Sequence, residues 1–164
     1  MNYYAPNLIS VCVDYVNYPY FGGGVYHCYS SSPVKFDGIV QLTNIMDAFF
    51  DSIRIPQAAN KPRSFTPSND EPNRSENEVQ VMSIRDITNQ RGEKATFIVH
   101  VQYRQNATWQ GNVFWAEKNI TRNFRSALEL LKLIDSAFND GSSQTFCGIE
   151  QENHSEHIIE EKEA

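Results

Sequence analysis

The chain has 164 residues, of which 40% are apolar and 12% aromatic, which is enough for one ordinary domain with a real core. Residues 1–139 hold 13 acidic and 13 basic side chains, whereas residues 140–164 hold seven acidic and one basic. The net charge of −6 therefore belongs to the end of the chain. The balanced remainder has no positive excess of the kind that usually accompanies nucleic-acid binding.

The beginning of the chain has no basic stretch followed by an apolar run, so it does not resemble a secretory signal. No apolar stretch approaches the ~20 residues that span a bilayer. Three cysteines, Cys12, Cys28 and Cys147, are too few for a disulfide framework and favour free thiols in a reducing compartment. These features predict a cytoplasmic protein without a membrane association.

Alternation of apolar and polar residues predicts a strand over 9–16, with one face formed by Ile9, Val11, Val13 and Tyr15. Asn, Pro and three consecutive glycines make 17–24 a turn, after which 25–29 returns as a second strand. A short extended run at 34–36 leads into a helix that ends before Pro56 and buries one apolar face.

The stretch at 56–94 is rich in Pro, Asn, Ser and charge, and it is predicted to be a polar linker, mobile for most of its length. Within it, the alternation over 79–87 favours an extra strand. The acidic end at 142–164 is predicted to be a disordered tail.

The pattern of the first part returns 88 positions later. Strands are predicted over 97–104 and 112–117, followed by a short extended return and an amphipathic helix. Laid against each other without a gap, 9–50 and 97–138 are identical at nine of 42 positions, where about 2–3 are expected by chance. The identical pairs are Val11/Val99, Val13/Val101, Tyr15/Tyr103, Gly23/Gly111, Val25/Val113, Phe36/Phe124, Leu42/Leu130, Asp47/Asp135 and Phe50/Phe138.

This duplication predicts an α+β fold of two tandem β-β-α repeats, at 1–55 and 95–141. One such unit leaves its sheet edges open and buries little apolar surface, so we expect the two to share one antiparallel sheet with both helices on one face. The order of the strands stays open. Pairing of the sheet edges with another chain, which would give a homodimer, is the alternative.

The residue types that usually carry catalysis are not arranged for it. Gly22–Gly24 precedes a strand rather than a helix, so it lacks the helix N-terminus of a phosphate-binding loop. His154 and His157 lie in the tail, without a framework to hold a metal ion. Asp47 and Asp135 are the acids shared by both copies, and neither has a partner base in the sequence. The sequence therefore predicts a protein that is not an enzyme and holds no cofactor or metal.

One hairpin in the second copy combines the side chains that are most common at binding hot spots. We expect it to be an interaction surface formed by Arg104, Gln105, Asn106, Trp109, Gln110 and Trp115. In the alternative interpretation, Trp109 folds back over the sheet edge and the amides bond the backbone of their own turn.

The runs YRQNATWQG (103–111) and NFRSALELLKLID (123–135) resemble a group of small uncharacterised bacterial proteins. The first copy resembles a looser companion group through Gly24–His27, Phe36, Gln41–Leu42, Ile55–Gln57 and Arg63–Phe65. The resemblance implies a bacterial, cytoplasmic protein, and no activity, cofactor or catalytic residue follows from it.

Three functions remain from the sequence. The leading hypothesis is a non-catalytic interaction module that binds a protein partner or a second copy of itself. The second is binding of RNA or single-stranded DNA through the aromatic and basic second copy. The third is small-molecule binding in the cleft between the copies.

Overall fold

The computed structural model describes residues 5–58, 65, 79–105 and 108–138. Much of the predicted linker, at 59–64 and 66–78, and the predicted tail at 142–164 lie outside the described residues. The described ranges contain six strands and three helices: β1 Leu8–Asn17, β2 Tyr20–His27, β3 Val34–Asp37, α1 Ile39–Ile53, α2 Ile84–Thr88, β4 Ala95–Tyr103, β5 Gln110–Trp115, β6 Ile120–Phe124 and α3 Ala127–Ser136.

All six strands form one antiparallel sheet in the order β3-β2-β1-β4-β5-β6. β1 and β4 pair at its centre, where Val11 lies opposite Phe97 and Ile9 lies opposite Val99. β3 and β6 form the two edges. The predicted α+β class with a single antiparallel sheet is confirmed.

The strand count differs from the predicted β-β-α pattern, because each half of the sheet has a third strand. We call residues 8–53 the first half and residues 95–138 the second half. The chain that leaves β2 turns back along its free edge as β3, and the chain that leaves β5 does the same as β6. Both added strands are short, at four and five residues, and the sequence predicted a short extended run in both halves.

Strand pairs in the two halves have the same register. Val11 lies opposite Val25, and Val99 lies opposite Val113, so both partners of the second pair are 88 positions beyond those of the first. The valines also share their environment, since Val11 and Val99 are completely buried.

Each half also has a β-bulge at the same place. In β1 the register shifts between Val13 and Tyr15, and in β4 it shifts between Val101 and Tyr103. A bulge places two residues opposite one and so moves the following side chains to the other face of the sheet. Alternation predicted both tyrosines on the core face, and this was wrong: Tyr15 is 43% exposed and Tyr103 is 55% exposed.

The return strands approach these bulges closely, and this requires glycine. A Cβ atom at Gly23 would overlap the carbonyl oxygen of Cys12, and one at Gly111 would overlap the carbonyl oxygen of His100. Both obstacles are backbone atoms that cannot turn aside. Close packing of the backbone therefore explains why both positions are glycine, and no phosphate-binding role is needed.

The core lies on the face of the sheet that α1 and α3 cover. α1 buries Leu42, Met46 and Phe50 against it, and α3 buries Leu130 and Ile134. These side chains belong to one apolar cluster with the inward residues of β1, β2, β4 and β5, so both helices cover the same face. Burying a large aliphatic side chain contributes about 1.5–3 kcal/mol.

The extra strand predicted over 79–87 is not formed. The second part of this segment is instead in a helix, α2, over Ile84–Thr88. Ser83 caps this helix, because its hydroxyl accepts a hydrogen bond from the backbone N–H of Asp86 and the Asp86 carboxylate accepts one from Ser83. The backbone N–H groups of Val81 and Met82 both donate to the carbonyl of Cys28 and make no strand ladder.

α2 contacts β1 and β2, and Ile87 is its completely buried residue. No helix among the described residues has the length and apolar character needed to cross a membrane.

Candidate functional site

Arg104 follows the last residue of β4 and joins the second half to the first. Its Nη2 atom lies 2.5 Å from Asp47 Oδ1, and its Nη1 atom lies 2.7 Å from Asp51 Oδ1 in an ion pair without hydrogen-bond alignment. Both acids are on α1, and the guanidinium also lies 5.7 Å from the centre of the Phe50 ring. Only 5% of Arg104 is exposed, so its charge is balanced inside the protein.

Trp109 packs beside this cluster. Its ring meets Phe50 edge to face, with 5.7 Å between the ring centres, and only 7% of the residue is exposed. Arg104 and Trp109 thus contact the same phenylalanine and contribute to packing between the halves. The burial of both residues favours the alternative interpretation of this hairpin, in which its large side chains pack against the protein itself.

The other predicted contact residues do not form one surface. Gln105 is exposed and Gln110 is half-buried at the start of β5, whereas Asn106 lies outside the described residues. Trp115 is at the far end of β5, five residues from Gln110 and therefore about 17 Å away along the strand. Trp115 consequently belongs to a separate site.

Trp115 forms the floor of a groove between α3 and the outer strands of the second half. This Trp115 groove has a volume of about 150 Å³ and is lined by Phe97, Val113, Trp115, Ile120, Arg122, Leu133 and Ser136. The indole ring packs against Phe97 at 5.9 Å between centres, and Lys118 Nζ lies 5.8 Å from the centre of the indole.

The indole N–H of Trp115 is buried and has no hydrogen-bond acceptor among the described residues. A buried donor without an acceptor costs about 1–3 kcal/mol. Lys118 and Arg122 form no ion pair with any described carboxylate. The groove therefore has an apolar floor and one cation in its lining, Arg122, with Lys118 beside the Trp115 ring, and neither cation pairs with a described carboxylate.

The first half has a groove in the matching position. This His27 groove has a volume of about 410 Å³ and is lined by His27, Tyr29, Val34, Ile45, Ala48, Phe49, Ser52 and Val79. Four of these residues lie 88 positions before lining residues of the Trp115 groove: His27/Trp115, Val34/Arg122, Ile45/Leu133 and Ala48/Ser136.

The two grooves differ in what surrounds the ring on the floor. Phe49 stacks on His27 with 4.4 Å between ring centres and an angle of 21°. The residue 88 positions after Phe49 is Ala137, which has no ring to place on Trp115. Valine stands at the position of Arg122, so the His27 groove also lacks that cation.

A third feature lies between the halves, beside Arg104. A pocket of about 220 Å³ is lined by Phe50, Asp51, Arg54, Pro56, Gln57, Ala58 and Arg104. Its lining is mainly polar and comes from both halves. Neither Asp47 nor Asp135 lines it, so the two shared acids do not converge there as a catalytic pair would.

The tip of the β1–β2 hairpin carries an exposed aromatic cluster that the sequence analysis missed. Tyr18 is 67% exposed and Tyr20 is 64% exposed, and they flank the turn near Tyr15. The Tyr15 ring lies across Gly22, and its hydroxyl donates a 2.7 Å hydrogen bond to Asp37 in β3. This bond raises the pKa of Tyr15.

Described groups with catalytic potential are few. Cys12 and Cys28 are buried free thiols, and burial raises the pKa of each, which keeps the sulfur protonated. The described residues contain no group of three or more side chains arranged to hold a metal ion. No protein-family model, curated protein or solved structure matches the chain.

Proposed function

We propose that the protein is a non-catalytic interaction module, built from two copies of one unit, which binds a protein partner at the Trp115 groove. The shared strand registers, the matching bulges and the equal burial of Leu42 and Leu130 support descent of the halves from one unit. The observation that carries the binding proposal is the Trp115 floor itself, with Arg122 in the lining and Lys118 over the indole ring, neither paired with a described carboxylate.

Tryptophan and arginine are the side chains that most often dominate binding energy at protein interfaces. Trp115 lies in a concave site, where a partner side chain is removed from water on several sides. Trp109, by contrast, already has Phe50 as its partner inside the protein. The groove is therefore a better contact site than the hairpin tip beside Trp109.

The test is selection of peptides from a random library displayed on phage, with the full chain as the target. Peptides that bind the groove should lose at least about tenfold in affinity for Ser136→Phe, because the new ring fills the cavity. Ala48→Phe is the matched control, since Ala48 occupies the corresponding position in the His27 groove. Both positions are exposed on their helices, so we expect folding to be preserved.

Failure to enrich any peptide, or equal binding by wild type and Ser136→Phe, would contradict the proposal. Light scattering over a range of protein concentrations distinguishes the two kinds of partner. A mass that rises with concentration in the wild type and not in Ser136→Phe would identify a second copy of the chain as the partner.

A second candidate function is small-molecule binding in the pocket beside Arg104, and its polar lining from both halves favours it. Arg54 is exposed and lines the pocket, whereas Arg104 is already held by Asp47 and Asp51. A fragment library screened by NMR tests this function. Ligands that bind the wild type and not Arg54→Ala would support it, and a screen without ligands would end it.

Nucleic acid is the remaining alternative. Stacking of bases requires open aromatic faces, and the burial of Trp109 removes one of the two tryptophans from such a role. A gel-shift titration with a short oligo-uridine RNA at low salt decides the matter. Binding must appear there and weaken as salt rises, because phosphate contacts release counterions.

A further inference from the structure

We infer that the Trp115 groove recognises the C-terminal residue of its partner polypeptide, with an apolar side chain in the cavity and the terminal carboxylate beside Lys118 and Arg122. This inference rests on the proposed function of the same groove. It names the chemistry of the partner: a chain that ends in an aliphatic residue with a free carboxylate.

The size of the cavity limits what enters it. Its volume of about 150 Å³ is below the roughly 300–1,000 Å³ of sites that hold drug-sized ligands. Phe97, Val113 and Leu133 supply apolar walls, so the cavity suits one aliphatic side chain rather than the face of a helix. An apolar group is therefore one half of the ligand.

The charges at the rim supply the other half. Lys118 lies over the Trp115 ring, and Arg122 donates Nη1 to the carbonyl of Thr121 at 3.1 Å without pairing with a described carboxylate. Glu117, the neighbouring acid, is occupied elsewhere, since its Oε2 atom accepts a hydrogen bond from the backbone N–H of Thr96. Two cations without a described acid favour an anionic ligand group.

The apolar group and the anion must lie close together, because Arg122 lines the cavity and Lys118 lies over the ring of Trp115, which also lines it. In an extended segment, an acid next to the aliphatic residue points to the opposite face, and the nearest acid on the same face is two residues away, about 7 Å along the chain. A C-terminal residue carries its side chain and its carboxylate on the same Cα atom. The geometry thus favours a chain terminus over an internal acidic segment.

The His27 groove serves as a control within the molecule. Val34 takes the place of Arg122 there, and Ser30 takes the place of Lys118. The matching groove thus keeps an apolar character and lacks both cations. We expect a terminal carboxylate to be recognised in the second half alone.

The experiment uses the full chain and a glycine-serine hexapeptide that ends in leucine, prepared as the free acid and as the C-terminal amide. Binding is followed by NMR through the indole N–H resonances of Trp115 and Trp109. The free acid should shift the Trp115 resonance, and the amide should bind about tenfold more weakly because it lacks the charge. A free acid that ends in glycine should bind equally weakly, because it leaves the cavity empty.

Variants identify the cations. Lys118→Gln and Arg122→Gln should each weaken the free acid by about threefold to tenfold, and added salt should reduce the difference. Lys132→Gln, which removes an exposed cation of α3 outside the groove lining, should leave the affinity unchanged.

Equal affinity for acid and amide would overturn the inference, as would binding that survives Ser136→Phe. If library peptides bind the groove while the leucine-ended acid does not, the interaction module stands and the terminal-carboxylate inference fails. If neither binds, both fail. Binding of the acid that all charge variants leave intact would also reject Lys118 and Arg122 as its partners.

Discussion

The two halves of the sheet agree in their cores and differ at their margins. Phe21 and Trp109 are 88 positions apart, and both are buried aromatic residues near the start of a return strand. Val16 and Arg104 are also 88 apart, yet one packs against the core and the other carries a buried charge to α1. Positions that pack the sheet are similar in the two halves, whereas Val16 and Arg104, beyond the bulges, differ in both character and contacts.

The second half has features that the first half lacks. Arg104 binds the first half, and Trp115 with Lys118 and Arg122 forms a basic aromatic groove. The corresponding residues of the first half are Val16, His27, Ser30 and Val34. The buried ion pairs and the basic aromatic groove are therefore features of the second half, which is also where we propose that the partner binds.

The largest effect should come from the paired helix leucines. Leu42→Ala and Leu130→Ala each remove a completely buried side chain from the shared core and should each cost about 2–5 kcal/mol of the free energy of unfolding. Because the sites correspond, the two losses should agree to within about 1 kcal/mol. Urea denaturation measures both. Costs that differ several-fold would break the structural equivalence of the halves.

The next largest effect on stability should occur at Arg104 and not at Val16, the corresponding residue of the first half. Arg104→Met leaves Asp47 and Asp51 without their shared cation and should cost about 2–3 kcal/mol, moderated because both carboxylates are partly exposed. Adding Asp47→Asn and Asp51→Asn should recover much of this loss, since no uncompensated charge then remains. Val16→Ala, the change at the corresponding position of the first half, removes no ion pair. Adding Asp47→Asn and Asp51→Asn to it should therefore recover none of its stability. A triple variant as unstable as Arg104→Met would show that the ion pairs are not the cause.

A pH-dependent effect should follow from His100, whose position in the first half is occupied by Cys12. Burial lowers the pKa of His100 from its ordinary value of 6.5, so the unfolded state binds its proton more readily than the folded state. Stability from this residue is complete above pH 6.5 and is lost as the pH falls towards the folded-state pKa. His100→Gln should flatten this part of the stability profile in urea titrations. An unchanged slope would contradict the assignment.

The smallest effect concerns the two exposed tyrosines after the bulges. Tyr15→Phe removes the hydrogen bond to Asp37 and should cost about 0.5–1 kcal/mol. Tyr103→Phe, the corresponding change, removes no hydrogen bond to a described residue and should be neutral within the error of thermal unfolding. If the two variants behave alike, the contact between Tyr15 and β3 contributes nothing measurable.

Much of the candidate site was beyond sequence reasoning. The spacing of 88 positions aligns Trp109 with Phe21, but 17–24 was predicted to be a turn, so the burial of both rings is known only from the structure. Strict alternation along β4 predicts Arg104 on the outer face of the sheet, but the bulge before Tyr103 moves its side chain to the face that α1 covers. Only its partners on α1, Asp47 and Asp51, which are 57 and 53 residues earlier in the chain, explain its burial.

The sequence by itself determined the local elements: period-two alternation in the central strands, the apolar faces of α1 and α3, and the spacing that relates the halves. These patterns arise within a few residues and need no distant partner. The tertiary structure decided the pairing of β1 with β4, the edge positions of β3 and β6, the bulges, and the ion pairs of Arg104. Each of these depends on residues far apart in the chain, and their contacts form only when the sheet and helices pack together.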